Sequence, residues 1–481
     1  MHEWTVETVA RIARGTLIGN ADLEVHGCII DSRQAQGGEM FFALPGEQVD
    51  GHDYIEAAWK KGAVLAVAEE THFKENENTH FVPDGKALLL VNSVVTAFQE
   101  LAQAWRLELG AKVVGVTGSN GKTTTKDMIA AVLSQRFRIY FNKENHNNEL
   151  GLPLTVLNAP SDTEILVLEM GMRGLGEIKA LCDLAKPDIG VITNIGTTHL
   201  ELLLTQERIA QAKWELIESL PKEGIAIINA EDSLSVLKAK QDAHSTRFYG
   251  LDGAFVVPHI KGVQLQPWGE LGTTFEVSFQ DEKATAHLPL PGKHNVLDAL
   301  AALAVGTVFG ISLQEGCAGL TKLELSKMRL EVRQGVFGAI LINDVYNANP
   351  VSMQASLQVL KERAGENKTL AILGDMYELG TSAESGHREV GRTLARLGFT
   401  QLITVGKLAS EIAQGARMAG YAEDQIKVTS SREEAVTKAL NLLELYEPGA
   451  WVLIKGSRGM KMEEITVQLE RSEVKDGIIH V

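Results

Sequence analysis

Cysteine is scarce in this chain: Cys28, Cys182 and Cys317 are the only three among 481 residues, far apart and without CxxC or Cys/His spacing. Neither a disulfide framework nor a zinc site is expected, and a reducing, cytoplasmic compartment suits the chain best. Long apolar runs are missing too. A bilayer-spanning helix takes about 20 apolar residues, and stretches such as 299–311 are too short and are broken by glycine. The opening residues MHEWTVETVARIARG carry Glu3 and Glu7 where an export signal needs a basic patch followed by an apolar stretch. Basic residues are in deficit, 46 against 62 acidic ones, for a formal net charge of −16. Phosphate-backbone affinity comes from clustered Lys and Arg, so indiscriminate nucleic-acid binding is disfavoured and only a local basic pocket remains open.

What is present is the composition of a folded protein, 44% hydrophobic and 22% charged. At roughly 100–200 residues per domain, about three domains are expected. Residues 1–85 combine short strand-like pieces (VHGCIID, MFFAL, AVLAVAE) with a helical stretch over 54–61, the pattern of a small α/β domain. The polar segment 72–86 ends in Pro83-Asp84-Gly85, a turn signal that suits a linker.

Residues 86–320 repeat the order apolar run, loop, amphipathic helix: AKVVGVTG then TTKDMIAAVLSQ, ILVLEMGM then LGEIKALCDLA, DIGVITNIG then ERIAQAKWELIESL. Continuous Val/Ile/Leu runs alternating with helices predict a doubly wound parallel sheet covered on both faces. A small antiparallel patch is expected over 253–290, before a helix over 296–309. Residues 321–481 alternate strands (GAILIND, TLAILGD, QLITVG, AWVLIKG) with helices and predict a second open, Rossmann-like α/β sheet.

The sharpest motif is GVTGSNGKTTT, residues 115–125, directly after a strand and directly before a helix. Polyphosphate binding needs backbone N–H groups turned on one anion, glycines that let the backbone approach, a helix amino terminus, a lysine for the outer phosphates and a hydroxyl for Mg²⁺. Gly118, Ser119, Asn120, Gly121, Lys122, Thr123 and Thr124 supply those parts. The bland reading, a glycine-rich turn capped by threonine, does not account for the order strand, loop, helix.

Glu169 ends the run ILVLE and so stands at the carboxyl edge of a parallel strand, where ligands of open α/β sheets collect. It either holds Mg²⁺ on a nucleotide or caps the next helix. His199 follows the next strand in the same way; beside a phosphate loop the two ligand types together favour a metal site over a solvated histidine. Lys213 falls within the apolar stripe Ile209, Ala212, Leu216, Ile217 and Leu220. It is a buried amine of lowered pKa or a side chain that snorkels past the core. The amide-rich loop NKENHNNELGLP and the segments GKHN and NDVYNANP are weaker signals. In KGSRGM, Lys455 and Arg458 beside Gly456 and Ser457 precede the helical stretch MKMEEITVQL and suggest an anion site.

Taken in order, GVTGSNGKTTT, NHNNELGLP, EMGMRGLGEI, TNIGTTHLE with AKWE, GKHN, MRLEV, NDVYNANPVSM, LGDMYELG and KGSRGMKME resemble the Mur ligases of peptidoglycan synthesis over nearly the whole chain. Asp31-Ser32-Arg33 and FALPGEQVDGHDY resemble the family's first domain. The nearest likeness is to the member that joins D-alanyl-D-alanine to UDP-N-acetylmuramoyl-tripeptide through an acyl phosphate. That resemblance implies ATP on residues 118–124, with two Mg²⁺ served by Thr123, Glu169, His199 and a carbamylated Lys213. It further implies Asn295 at the adenine and Arg329 and Asp344 at the nucleotide from the third domain. Ser32 and Arg33 would meet the UDP end of the substrate, Asn148 the muramoyl peptide, and Asn347, Asn349, Lys455 and Ser457 the dipeptide. Lys122, Glu169, His199 and Lys213 would carry the catalysis. A monomer with no nucleic-acid or membrane partner is expected, with the third domain closing over the second.

The chain departs from the family pattern at Thr198, commonly Ala, at LLLTQE, and at Asp298, commonly Asn. Two other readings remain. The related ligase that adds the third residue of the peptide carries a DNPR signature, where NANPVSM stands here. A regulatory P-loop ATPase would hydrolyse nucleotide and form no amide.

Overall fold

The computed structural model describes residues 4–46, 49–74, 82–143, 146–196, 200–269, 272–323, 328–446 and 449–470. Three sheets organise them, of five, nine and six strands. The first has the order Thr16–Gly19, Ala87–Val91, Leu65–Glu69, Met40–Phe42, Cys28–Ile29, parallel except for its first strand. Ala87–Val91, whose apolar run the sequence assigned to the central segment, thus belongs to the first sheet. ALLLV is buried on both faces there, so the first unit continues beyond the turn at Pro83. Residues 75–81 of the expected linker lie outside the described residues.

The nine-stranded sheet has Lys112–Thr117 between Ile165–Glu169 and Ile189–Ile192, all parallel. Its central parallel strands are buried because helices cover both faces, among them Lys122–Leu133, Gln206–Glu218 and Lys293–Val308. The patch expected over 253–290 is present as Ile260–Trp268, Gly272–Phe279 and Glu282–Leu288, which extend the sheet; the last two add antiparallel. The third sheet is parallel save for its edge strand Glu331–Gln334.

The first two units share one core. The helix Val94–Leu109 runs between them, started by the Ser93 side chain and stopped by Gly110 at φ 63°. Trp105 stacks edge-on against Trp4 at 5.5 Å and donates to the Ala159 carbonyl, while Asn158 bonds both backbone groups of Cys28. The third unit has its own apolar clusters on the two faces of its sheet. It meets the central unit through polar contacts: Arg329 to Thr123, Asn349 to Asn120 and Arg363 to the Gly272 carbonyl. The contacts named between these two units are hydrogen bonds, whereas the first two units share apolar burial. Among the described residues no helix is long and apolar enough to cross a membrane.

Candidate active site

The carboxyl edge of the central sheet opens into a cavity of about 1070 Å³ whose far wall belongs to the third unit. The loop 118–121 leaves Lys112–Thr117 between two strand ends, and its glycines are required by space as well as by backbone angle. A Cβ on Gly118 would fall 1.8 Å from the Thr193 hydroxyl, and one on Gly121, at φ 81°, would fall 2.6 Å from an Asp298 oxygen. Asn194 holds the loop from behind, accepting from the Ser119 and Asn120 amides through its carbonyl and side-chain oxygens. Gly121 then caps the helix Lys122–Leu133, whose first turn faces the cavity. The Lys122 ammonium folds over the loop onto the Gly118 carbonyl at 2.8 Å. Burial lowers its pKa, opposed by the charge of Glu169 and reinforced by Arg329.

Glu169 is buried at the end of its strand. One carboxylate oxygen accepts from the Thr123 hydroxyl at 2.6 Å and the other from the Asn147 amide at 2.8 Å. Its backbone is clamped by Asn142, which accepts from the Glu169 N–H at 2.8 Å and donates to its carbonyl at 2.9 Å. A side chain that pairs both groups of a strand's last residue prolongs the ladder by one step, and so fixes where the carboxylate points. Lys126, wholly buried, donates to the Asn142 carbonyl at 2.6 Å behind that clamp.

Lys213 is 2% exposed, with Ile209, Ala212, Leu216 and Ile217 buried on the same helix, and it lines the cavity. Burial and then the charge of Lys122 drive its pKa well below that of an ordinary lysine. The inward reading holds, and the snorkelling one does not. His199 lies outside the described residues.

On the helix Lys293–Val308, the buried Asn295 side chain donates to the Pro291 carbonyl at 2.7 Å and still reaches the cavity wall. One turn on, Asp298 accepts from the Thr125 hydroxyl at 3.0 Å, and burial raises its carboxyl pKa to about 8 against the lowering effects of Thr125 and Arg329. His294, also on the wall, is pushed down by burial to about 4.

From the third unit, Arg329 lies 4.0 Å from the Tyr346 ring centroid and donates to the Thr123 hydroxyl at 2.7 Å. Asn349 starts the helix Pro350–Ala364 with its oxygen on the Ser352 amide, and gives its amide hydrogen to Asn120 at 2.6 Å. Lys455, for which its motif suggested an anion site, has a carboxylate of this chain as its partner. Its ammonium is buried against the Asp344 carboxylate at 2.5 Å and the Asn347 carbonyl at 3.1 Å. Burial alone would raise the Asp344 pKa, but the charge and hydrogen bond of Lys455, with Ser356 and Arg329, bring it below the ordinary value. Arg458 pairs with Glu463 at 2.8 Å in a 3₁₀ turn, and the helix of that segment starts only at Glu463.

Gly121–Thr124, Glu169, Lys213, Asn295, Arg329, Asp344, Asn148, Asn347, Asn349, Lys455 and Ser457 therefore line one cavity, with Ser119 and Asn120. Asn148 also accepts from the Gly151 amide at 2.8 Å, just before the helix Gly151–Leu157. Ser32 and Arg33 are not on this wall; Ser32 is buried, and Arg33 is exposed and paired with Asp31 at 2.7 Å. Sequence reasoning missed Asn142, Asn147, Tyr346 and Tyr377. Asn142 and Asn147 belong to the amide-rich loop, and that richness was the available signal.

Among the described residues, Asp50, His52 and His72 are close enough to hold an ion. The lone pairs of His52 are spent: Nδ1 sits 2.6 Å from Asp50, and Nε2 accepts from the Glu69 amide at 2.9 Å. These two bonds tie a turn to a strand end.

Three family models match: the Mur ligase family catalytic domain over residues 24–106, the Mur ligase middle domain over 116–306, and the Mur ligase glutamate ligase domain over 328–458. The UDP-N-acetylmuramoyl-tripeptide–D-alanyl-D-alanine ligase of Bacillus subtilis (strain 168) is 39% identical over 97% of this chain and 98% of its own. Among solved structures, MurF from Acinetobacter baumannii superposes with a TM-score of 0.84 at 29% identity, covering 97% of this chain and 98% of that one. MurF ligase from Thermotoga maritima, in complex with ADP, gives 0.75 at 28% identity over 94% and 98%.

Proposed function

The chain belongs to the Mur ligase family, and from that premise we propose that it joins D-alanyl-D-alanine to UDP-N-acetylmuramoyl-tripeptide at the expense of ATP, in the cytoplasm, making the pentapeptide precursor of peptidoglycan. The observation that carries the reading is the meeting of phosphate loop, buried carboxylate and buried lysine with a wall of amides from another domain, inside one cavity.

Joining a carboxylate to an amine in water is uphill, so the carboxylate oxygen must first become a leaving group. The tripeptide carboxylate attacks the γ-phosphate, giving an acyl phosphate and ADP; the dipeptide amine then attacks the acyl carbon, and phosphate leaves. The helix start at Gly121 and the Lys122 ammonium stabilise charge on the phosphoryl oxygens. Arg329 adds a positive charge from the opposite wall. Docking of the third domain aligns the reactants and keeps water from the acyl phosphate.

The residues fit Mg²⁺. Thr123 and Glu169 present hard oxygens 2.6 Å apart, and His199 would complete the set. As a free ammonium Lys213 is the wrong donor. Its lowered pKa supplies a neutral amine that adds CO₂ and releases a proton, and the resulting carbamate offers two more oxygens. Bound there, the ions would neutralise charge on the transferring phosphoryl group.

Asn295 would hold the adenine, and Ser32 and Arg33 the UDP end of the substrate. Asn148 would meet the peptide, and Asn347, Asn349 and Ser457 the dipeptide, with Lys455 acting through Asp344 and the 347 carbonyl. The test is a coupled assay. Phosphate release requiring both the UDP-linked tripeptide and D-alanyl-D-alanine, with a pentapeptide product by mass spectrometry, supports the reading. ATP hydrolysis without the amine, and no amide, would replace it with a regulatory ATPase.

A further inference from the structure

Behind the dipeptide side of the cavity lies a buried histidine that none of the chemistry above uses. His387, in the helix Ala383–Leu397, is fully buried. Its Nδ1 sits 2.6 Å from the Ala383 carbonyl, which can only accept, and its Nε2 sits 2.9 Å from the Met376 backbone N–H, which can only donate. The two partners together dictate a neutral imidazole protonated at Nδ1.

Met376 belongs to residues 375–379, which leave the strand Thr369–Gly374 at its carboxyl edge and carry Tyr377, Glu378 and Leu379 onto the cavity wall. Three consecutive residues of this segment are fixed by three different elements. The Asp375 side chain accepts from the Ala409 N–H at 2.6 Å, and its carbonyl accepts from the Ser457 N–H at 3.0 Å. The Met376 N–H is held by His387. The Tyr377 N–H donates to the Ser457 hydroxyl at 2.9 Å. Directly afterwards Glu378 adopts a left-handed φ of 62°, a conformation that persists only where its surroundings over-determine it.

We infer that His387 is a positioning residue for the dipeptide: by accepting from Met376 it sets the Tyr377 amide against the Ser457 hydroxyl, which is thereby committed as acceptor on one side and offers its own proton to the cavity. A carboxylate is the group such a hydroxyl would meet, and the dipeptide carries one. The inference rests on the reading that places the dipeptide beside Ser457.

Two conservative variants divide the imidazole's two bonds. His387→Gln puts an amide oxygen where Nε2 was and keeps an acceptor for Met376; His387→Asn keeps a donor for Ala383 and loses Met376. Leaving a buried N–H without its acceptor costs enough for about a tenfold change in an equilibrium. The full-length His387→Asn enzyme is therefore expected to raise the KM for D-alanyl-D-alanine about tenfold, with the KM values for ATP and UDP-tripeptide within about twofold, while His387→Gln stays near wild type. Equal dipeptide KM in both variants, or a parallel rise in all three KM values, would reduce His387 to a structural residue. If His387→Asn does not fold, His387→Gln decides alone, a raised dipeptide KM there overturning the inference. Ser457→Ala run alongside keeps the two readings apart: no change in its dipeptide KM sinks the placement of the dipeptide, whereas a rise there without one in His387→Asn sinks only the role of His387.

Discussion

The Thr123 hydroxyl lies 2.6 Å from Glu169 and 2.7 Å from Arg329. It donates to the carboxylate and accepts from the guanidinium, so a single side chain at the start of the phosphate-loop helix joins a strand end of the central domain to the third domain. Glu169→Gln keeps the shape and the contact with Thr123 but removes the charge. Loss of one preorganised electrostatic group at a reacting centre costs about a hundredfold in kcat, and that is the drop expected in the phosphate-release assay, with the melting temperature nearly unchanged. An unfolded Glu169→Gln protein would instead make the carboxylate a structural group.

Lys213 gives a chemical test. A neutral buried amine takes up CO₂, so protein equilibrated with ¹³C-bicarbonate should show one carbamate carbon resonance that is absent from Lys213→Ala. The Ala variant should lose nearly all activity and regain part of it with added short carboxylates, which replace the missing oxygens. A protein of full activity and no ¹³C signal would return Lys213 to a core lysine.

Arg329 and Asn349 reach the phosphate loop from a domain that shares little apolar core with the central one. Occupying the cavity with an ATP analogue and UDP-tripeptide should therefore shift the domain distribution, seen as a smaller radius of gyration by X-ray scattering. In Arg329→Ala the shift should shrink and the KM for ATP rise about tenfold, the size of one charge-assisted hydrogen bond. Superimposable curves with and without ligands would remove closure from the mechanism.

Much of this site is written in local sequence. ILVLE and KVVGVT read as buried strands, the glycine-rich loop between strand and helix reads as a phosphate site, and the apolar stripe around Lys213 left a buried amine or a snorkelling one, which burial in the fold then decided. The rest depends on partners far away in the chain. Lys455 reads as half of an anion site with Arg458 until the fold brings Asp344, 111 residues earlier, against it. Asn142 looks like one more amide in a polar loop until its pairing with both backbone groups of Glu169 is seen. ALLLV is equally apolar in either sheet, and nothing local told the first from the second.

Asp298 supplies the prediction with a defined pH window. Burial raises its folded-state pKa from 3.8 to about 8, while in the unfolded chain it titrates near 3.8. Below about pH 4 both states hold the proton and Asp298 adds no pH dependence. Between about pH 4 and 8 the unfolded state gives up its proton and the folded state retains it, so stability falls with rising pH; above the folded pKa both states are ionised and the loss is complete. Asp298→Asn keeps an oxygen for the Thr125 hydroxyl and cannot ionise. Calorimetric scans of both proteins should therefore coincide most nearly at pH 4–5 and diverge towards pH 8, with the Asn variant melting higher. Because a Cβ at Gly121 would lie 2.6 Å from this carboxyl group, the proton also settles whether a negative charge stands behind the phosphate loop. ATP affinity of the wild type should accordingly fall above pH 8 relative to Asp298→Asn. Melting curves that stay parallel from pH 4 to 9 would show the carboxyl group to be ionised throughout.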